Sequence, residues 1–586
     1  MIQNKNKMEK LISRFFASWI LAVLLLSANK VESMLETDFI KEMSLLAVCA
    51  AAAGIFLVLT AINIREKSAK RDVLFLLLVL LVFGMVTAYA AANIYVALGL
   101  GAVCIAVVKY FIECHEQAFF SIRYERADVI LMVGTMAFVW LAFVIGFTIL
   151  RYLAFKSPCY DMGIFSQMFY YMKENLTADT TCERAKLLSH FNVHMSPALY
   201  LLLPFYALFP SPVTLLVLQG LMIASGAIPL YLIAKKKNLN RFFVTCVLVL
   251  YFLFPASAGG CFYDFHENKM LLPIVLWLLY FIEQNKSLGI WVFMVLTLLV
   301  KEDAAIYVAC IGLFLMAARK QYRRGFVMFG VSVVYFLAVV YYLEHFGDGA
   351  MLGRYSNFII GDGGVFSILV TILKDPSYLF SQVFTMEKME FVLLMIVPLL
   401  GMPFFTKRIS HYILLIPFLV INLMTDNPYQ HSIYYQYTYG VTALLFYLTV
   451  LHLSEWEEKK AKKMAVYAVI LSLFVFVAAL ADKTKYLDFY EQDKEKYQTM
   501  MEVLDQIPKE KSVRATTCLV PYMSQRKVIY KFETTEELCD VIAFDLIYES
   551  SNTLYNENKD RLLSLGYKQV YLQEMALAIF EKEGTN

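Results

Sequence analysis

Charge is scarce in this sequence. Only 17% of the 586 residues are Asp, Glu, Lys or Arg, against 60% hydrophobic residues, and mean hydropathy is +0.59. A soluble chain of this length carries charge at roughly a quarter of its positions, so a soluble globular fold is excluded. Cysteine is sparse too, at ten residues, too few to frame a fold of this size. A basic tract interleaved with aromatics is missing and the net charge is only +3, so nucleic acid is set aside as a partner. Internal repeats and low-complexity segments are also lacking.

What the sequence has instead is long apolar runs. Stretches such as 72–91, 127–150 and 464–481 match the ~20 helical residues that cross a hydrocarbon core. Reading the whole chain this way predicts about fifteen spans, within a range of 13–16, of which 270–283 and 288–300 are short and read as tilted, half-buried or re-entrant rather than simple spans. The spans fall at 11–28, 39–62, 72–91, 94–112, 127–150, 213–234, 241–258, 270–283, 288–300, 304–318, 326–343, 389–404, 411–424, 438–453 and 464–481. Lys5, Lys7 and Lys10 precede the first, which reads as an uncleaved span, with a cleaved signal peptide as the alternative. The expected fold class is a polytopic α-helical membrane protein with a small α/β domain after residue 483. Three parts are expected: a four-span module over 1–126, a transmembrane core over 127–482 with a large loop at 151–212, and the α/β tail over 483–586.

Loop lysines and arginines set the orientation. Arg65, Lys67, Lys70 and Arg71, then Arg123 and Arg126, Lys235 to Lys237 with Arg241, Arg319 to Arg324, Lys407 with Arg408, and Lys459 to Lys463 all fall on one side of alternating spans. That side reads as cytoplasmic, in the plasma membrane, with the N-terminus inside and the tail outside. Cys159 with Cys182, and Cys518 with Cys539, then share the outer side. Spacing leaves disulfides and free thiols equally open.

Three polar islands interrupt the apolar runs on that outer side: Tyr160–Phe165, Asp264–Lys269 and Lys301–Asp303. Charges at a hydrocarbon boundary are costly and tend to mark function. Asp161 suits a general base or a divalent-cation ligand; spacing alone favours a helix cap before the apolar segment from Met162 to Met172, and the two readings are compatible. His190 and His194 are four apart. With Pro197 close behind and no acidic residue between them, they suit phosphate or acceptor binding better than zinc. Asp264, His266 and Glu267 crowd into four residues after Gly259-Gly260, which allow a tight backbone path beside a ligand. Lys301-Glu302-Asp303 has almost no loop around it, and Lys301 suits a lipid phosphate. Arg354 with Tyr355, and His431 ahead of Tyr434, Tyr435, Gln436 and Tyr437, are further candidates, where the bland reading is an interfacial aromatic belt.

At these residues the chain resembles the DUF2079 predicted membrane proteins from about residue 127 to the end. The shared elements are Asp161 to Phe165, His190 to Pro197, Tyr206 to Gln219, Asp264 to His266 and Lys301 to Asp303. That family is similar in layout to the GT-C membrane glycosyltransferases, which use polyprenyl-phosphate sugars and carry an acidic residue in the first large outer loop. The resemblance implies that Asp161 is the catalytic carboxylate. His190, His194, His266, Lys301, Arg354 and His431 are then expected to bind substrate or lipid phosphate. Asp264, Glu267, Glu302 and Asp303 are expected to support the site or hold a divalent cation such as Mg or Mn. The implied partners are a lipid-linked sugar donor, membrane lipids and a glycan or protein acceptor. The alternatives are a transporter or flippase of a lipid-linked sugar or other solute, and a non-catalytic membrane scaffold.

Overall fold

The computed structural model describes residues 2–63, 68–349, 352–360 and 364–583. Arg65 and Lys67 of the first basic loop, and the side chain of Lys5, lie outside the described residues. Among the described residues, nine helices are long and apolar enough to cross a membrane, and a tenth forms if a bent pair counts as one span. That pair, Arg241–Leu253 and Pro255–Phe262, bends by 46°. The protein is a polytopic helical membrane protein.

Fifteen uninterrupted spans are not present, and proline explains much of the difference. The expected spans at 389–404 and 411–424 become a helix at Met386–Ile396 followed by tight 3-10 segments at Val397–Leu399, Met402–Phe404 and Ile409–Leu415 and a wide π turn at Phe418–Leu423. Pro398, Pro403 and Pro417 sit at or just before these turns, where each removes an amide donor from the helical ladder. The expected span at 39–62 begins later, at Leu45, where the Ser44 hydroxyl accepts the Ala47 amide at 3.3 Å and caps the helix. Helices Leu271–Gln284 and Ser287–Leu298 have 14 and 12 residues, too short to cross unaided.

One apolar core joins residues from Trp140 to Leu480. At its centre runs Tyr439–Glu455, almost wholly buried by its neighbours. Of the first four long helices, Lys70–Ala91 and Ile94–Cys114 dock on Glu458–Leu480, where Ala88, Ala97 and Cys104 meet Ile470, Phe474 and Ala478, and Ile2–Ser27 packs on Leu45–Ile62 and Lys70–Ala91. Within that module a buried Arg14–Asp72 ion pair at 2.7 Å, joined by Asn63 at 3.2 Å, ties three segments together. The ends of the bundle differ. Lys237 and Arg319 pair with Glu283, Arg408 with Glu455, and Lys459 with Glu116, so the basic loops gather at one end. Helix Arg126–Leu153 starts there and, at 1.5 Å per residue over 28 residues, reaches about 40 Å to the polar islands.

The tail folds as expected. After a two-stranded hairpin in the large loop, β1 (Asp179–Thr180) and β2 (Leu188–Ser189), the sheet of the tail contains β3 (Val513–Ala515), β4 (Ile529–Lys531), β5 (Val541–Asp545), β6 (Tyr567–Gln573) and β7 (Leu577–Lys582). Its order is β4-β3-β5-β7-β6, parallel through β4, β3 and β5 and antiparallel beyond. The loop after the fifth long helix is built into this domain. Ala154, Phe155 and Cys159 pack with Tyr497, Met500 and Val513 in one apolar cluster. Polar bonds add to it: Ser524 to Ser166 at 2.7 Å, Tyr206 to Gln525 at 2.6 Å, and Tyr171 to the Lys527 carbonyl at 2.8 Å.

Gly259 and Gly260 face protein, where the sequence suggests a ligand. A Cβ on Gly259 would lie 2.6 Å from the Ile433 carbonyl, and one on Gly260 2.7 Å from the Tyr435 carbonyl. The bare backbones let segment 433–437 lie directly on 259–260. Gly260→Ala is expected to force those chains apart and cost about 1–3 kcal/mol, read as an earlier thermal unfolding midpoint in detergent. An unchanged midpoint would sink this account.

Candidate active site

The three islands meet at the end of the bundle beneath the tail. A cavity of about 280 Å³ is lined by Asp161 and Phe165 from the first, His190 and His194 from the large loop, and Tyr263 and His266 from the second. Arg354, Gln436 and Tyr437 close another wall, and Lys531 and Thr534 reach in from the tail. Phe165 is the hub of this assembly. Its ring packs edge-on against His190 at 5.3 Å, Phe265 at 5.4 Å and His266 at 5.4 Å.

Asp161 sits in a π turn, Cys159–Gly163, that opens helix Ile164–Asn175. Such wide turns recur at functional sites because they re-aim side chains. The carboxylate makes no capping bond: its Oδ2 is buried and has no hydrogen-bond partner. Burial, then repulsion from Glu267 and Asp264, pushes the carboxyl up to about 7, against the pull of Lys301 and Lys269. A carboxylate held near neutrality beside a cavity is a proton acceptor without an assigned proton.

The second island is an electrostatic brace. Arg151, at the end of helix Arg126–Leu153, bonds Asp264 at 2.5 Å and Ser157 at 3.0 Å. Ser157 donates to the same Asp264 oxygen at 3.0 Å, and the Lys269 ammonium to the Asp264 backbone carbonyl and, at 2.6 Å, to Gln219. Asp264 has φ +143°, a conformation that L side chains rarely adopt, so the brace holds strained backbone beside the cavity. Behind it, Lys301 pairs with Glu267 at 2.9 Å; the two are 1% and 0% exposed. Burial alone would raise the Glu267 carboxyl, but the cations around it, Lys301 first, hold it below the usual range. Glu267 returns the effect, keeping the Lys301 ammonium above its usual value in spite of burial.

The histidines differ in their proton inventory. His266 Nδ1 accepts the Asn268 amide at 3.2 Å, so in the neutral ring Nε2 carries the proton. His194 Nδ1 lies 2.8 Å from Glu302, whose carboxylate also accepts the Met195 amide at 3.2 Å, so its Nε2 is left as an acceptor. Burial, then the Lys301 charge, holds both rings well below the ordinary imidazole range and keeps them neutral. His190 is the opposite case. Burial opposes its charge, but Glu183, 2.9 Å from Nδ1, outweighs that and raises it, while Nε2 is buried without a partner.

The structure therefore brings Asp161, His190, His194, His266 and Arg354 to one cavity. Lys301, Glu267 and Asp264 lie behind its lining. Glu302 holds His194. Asp303 follows Lys301, its Oδ1 buried and unpartnered and its carboxyl pushed up to about 6 by burial. His431 stands apart, 3.2 Å from Glu387, and does not line the cavity. The ten cysteines are free thiols, with Cys159 and Cys182 both at the cavity.

Several lining or bracing residues escaped the sequence reading. Arg151 had a signal: it is a lone arginine at the non-basic end of a span. Lys531, bonded to the Tyr160 hydroxyl at 3.1 Å and stacked over its ring at 4.4 Å, had none.

The donor set does not fit a metal. Asp264 is taken up by Arg151 and Ser157, and Glu267 by Lys301 at 2.9 Å. Among the described residues no three His, Cys, Asp or Glu side chains are grouped to hold an ion. Chelation with EDTA is accordingly expected to leave both thermal stability and any activity unchanged. A drop in either that Mg or Mn restores would overturn this.

No curated protein matches the chain. Two solved structures of ArnT from Cupriavidus metallidurans align with it at 10% identity. The one bound to undecaprenyl phosphate covers 79% of this chain and 99% of its own, with a TM-score of 0.48. The apo form covers 77% and 97%, with a TM-score of 0.45. Residues 151–571 match the family model described as "Predicted membrane protein (DUF2079)". That match spans well over half of the sequence and includes every island of the cavity, so the chain belongs to the DUF2079 family.

Proposed function

We propose that this protein is a membrane glycosyltransferase that moves a sugar from a polyprenyl-phosphate donor to an acceptor on the outer face. The observation that carries the reading is the Asp161 carboxylate, buried at one oxygen, unpartnered and raised to about 7, at a cavity rimmed by His190, His266 and Arg354. A proton acceptor opposite hydrogen-bond donors is what displacement at a sugar phosphate requires.

The acceptor hydroxyl gives its proton to Asp161 as its oxygen bonds to the anomeric carbon. The bond from that carbon to the phosphate oxygen breaks, and its electron pair leaves on the lipid phosphate. Arg354 and the His266 Nε2–H offer donors for that charge, and the unpartnered His190 Nε2 joins them when the ring is protonated against Glu183. Lys301 and Glu267 stand behind the cavity lining as a buried ion pair that sets the charge beside His266. His194, with Nε2 free to accept, suits a sugar hydroxyl. On this reading the tail, which lines the cavity with Lys531 and Thr534, meets the acceptor.

The test is a transfer assay on protein in liposomes, with a panel of radiolabelled polyprenyl-phosphate sugars. Label leaving the lipid phase with release of polyprenyl phosphate is the expected result. No release from any donor in the panel, from protein that unfolds cooperatively, overturns the reading.

A further inference from the structure

A second cavity, of about 1070 Å³, opens at the far end of the bundle, where the basic loops gather. Its rim carries Arg123 and Arg126 before and at the start of helix Arg126–Leu153, with Lys235 and Arg241 from the 235–241 turn. Among the described residues these four exposed cations have no hydrogen bond or ion pair to a carboxylate, whereas Lys237, Arg319, Arg408 and Lys459 nearby are all paired. The two acids on the rim are already engaged: Glu125 in a capping box with Asp128, and Glu458 with the Asn240 amide at 3.2 Å. Lys462 is used up structurally, donating to the carbonyls of Phe119, Phe120 and Ile122 at 2.9–3.3 Å.

Below the cations the walls are apolar. Val129, Ile130 and Gly134 continue along one helix, and Val244 and Leu248 face them from another. Ile130 is 61% exposed, and a Cβ on Gly134 would meet nothing within 4 Å. From Arg126 to Gly134 is eight residues, about 12 Å of helix. The cleft thus has a cationic mouth at the start of a helix long and apolar enough to cross a membrane, and an open apolar slot running along that helix from it. Inorganic anions need the first feature only, whereas an amphiphile needs both.

We propose that this cleft seats an anionic phospholipid, its phosphate among Arg123, Arg126, Lys235 and Arg241 and an acyl chain along Val129 to Gly134. Basic pockets between transmembrane helices attract lipid headgroups in this way, each near-surface cation adding to the affinity. The site is about 40 Å from the candidate active site by the length of the helix they share, and the inference does not depend on the reaction proposed above.

Native mass spectrometry of the full-length, delipidated protein tests it, with phosphatidylglycerol, phosphatidylcholine and inorganic phosphate as probes. Phosphatidylglycerol is expected to bind at least about tenfold more tightly than phosphatidylcholine. That preference should disappear in R123Q/R126Q/K235Q/R241Q and survive in R323Q/K407Q, which removes exposed cations elsewhere. Gly134→Phe fills open space and is expected to weaken the lipid about tenfold, leaving the fold intact. Equal affinity for the two lipids, a quadruple variant that binds normally, or equal losses in R323Q/K407Q would overturn the proposal. So would phosphate competing as well as the lipid together with an unaffected Gly134→Phe, which would leave a simple anion site.

Discussion

Asp161→Asn is expected to lower sugar transfer by about 10²–10⁴-fold, the usual contribution of a positioned general base, while the protein unfolds no earlier than the wild type. The two halves of this expectation come from one observation. Asp161 is held up at about 7 by burial and by the neighbouring carboxylates Glu267 and Asp264. A carboxyl whose folded value is raised opposes folding at every pH above its unfolded value near 3.9. The amide removes that penalty, so the thermal midpoint should stay or rise. Loss of transfer with lost stability would point instead to a structural part for Asp161. The pH profile of the wild type follows with its sign fixed. The base acts when deprotonated, so transfer should climb tenfold per pH unit below about 7 and level off above it. A flat profile between pH 5 and 8 would remove Asp161 from the proton transfer.

Much of this site was legible as a list of residues and little of it as an arrangement. The islands are conspicuous because charge is rare in the chain, and Asp161, His190, His194 and His266 all reach the cavity they suggest. Sequence cannot distinguish a cation that faces substrate from one that faces a buried carboxylate. Lys301 reads as a phosphate ligand, yet its ammonium is spent on Glu267, a partner 34 positions earlier brought close only by packing. Gly259 and Gly260 signal close approach correctly but not what approaches, which is the backbone of 433–435. His431 lies in an equally polar loop and ends against Glu387. The spans were legible wherever hydropathy and helix length agree. They were lost at 389–424, where prolines cut apolar sequence into turns that only burial by neighbouring helices can satisfy. The α/β character of the tail was legible from its alternation of helical and strand-like segments, whereas the reach of Lys531 into the cavity depends on how the tail docks.

Glu267→Gln is expected to destabilise the protein by about 3–5 kcal/mol, the cost of leaving one member of a buried ion pair without its partner. Glu267 is fully buried, with Lys301 on one oxygen at 2.9 Å and His266 near the other at 3.1 Å. The amide keeps the shape and removes the charge, so Lys301 remains buried and uncompensated. Lys301→Met should cost a similar amount by stranding the carboxylate. The double variant should cost clearly less than the sum, because no lone charge is left, and a thermodynamic cycle in detergent measures that coupling. Additive losses would show that Lys301 and Glu267 do not act on one another. The pH dependence has a definite direction. The folded Glu267 carboxyl lies below its ordinary value of 4.5. Its stabilisation is therefore complete above about 4.5 and is lost as pH falls through the lower folded value. Wild type and Glu267→Gln should accordingly converge in stability on acidification below 4.5 and stay furthest apart at neutral pH. Asp161 is predicted to lower activity without lowering stability, and Glu267 to lower stability first. That contrast separates the group that meets substrate from the brace that holds the site in place.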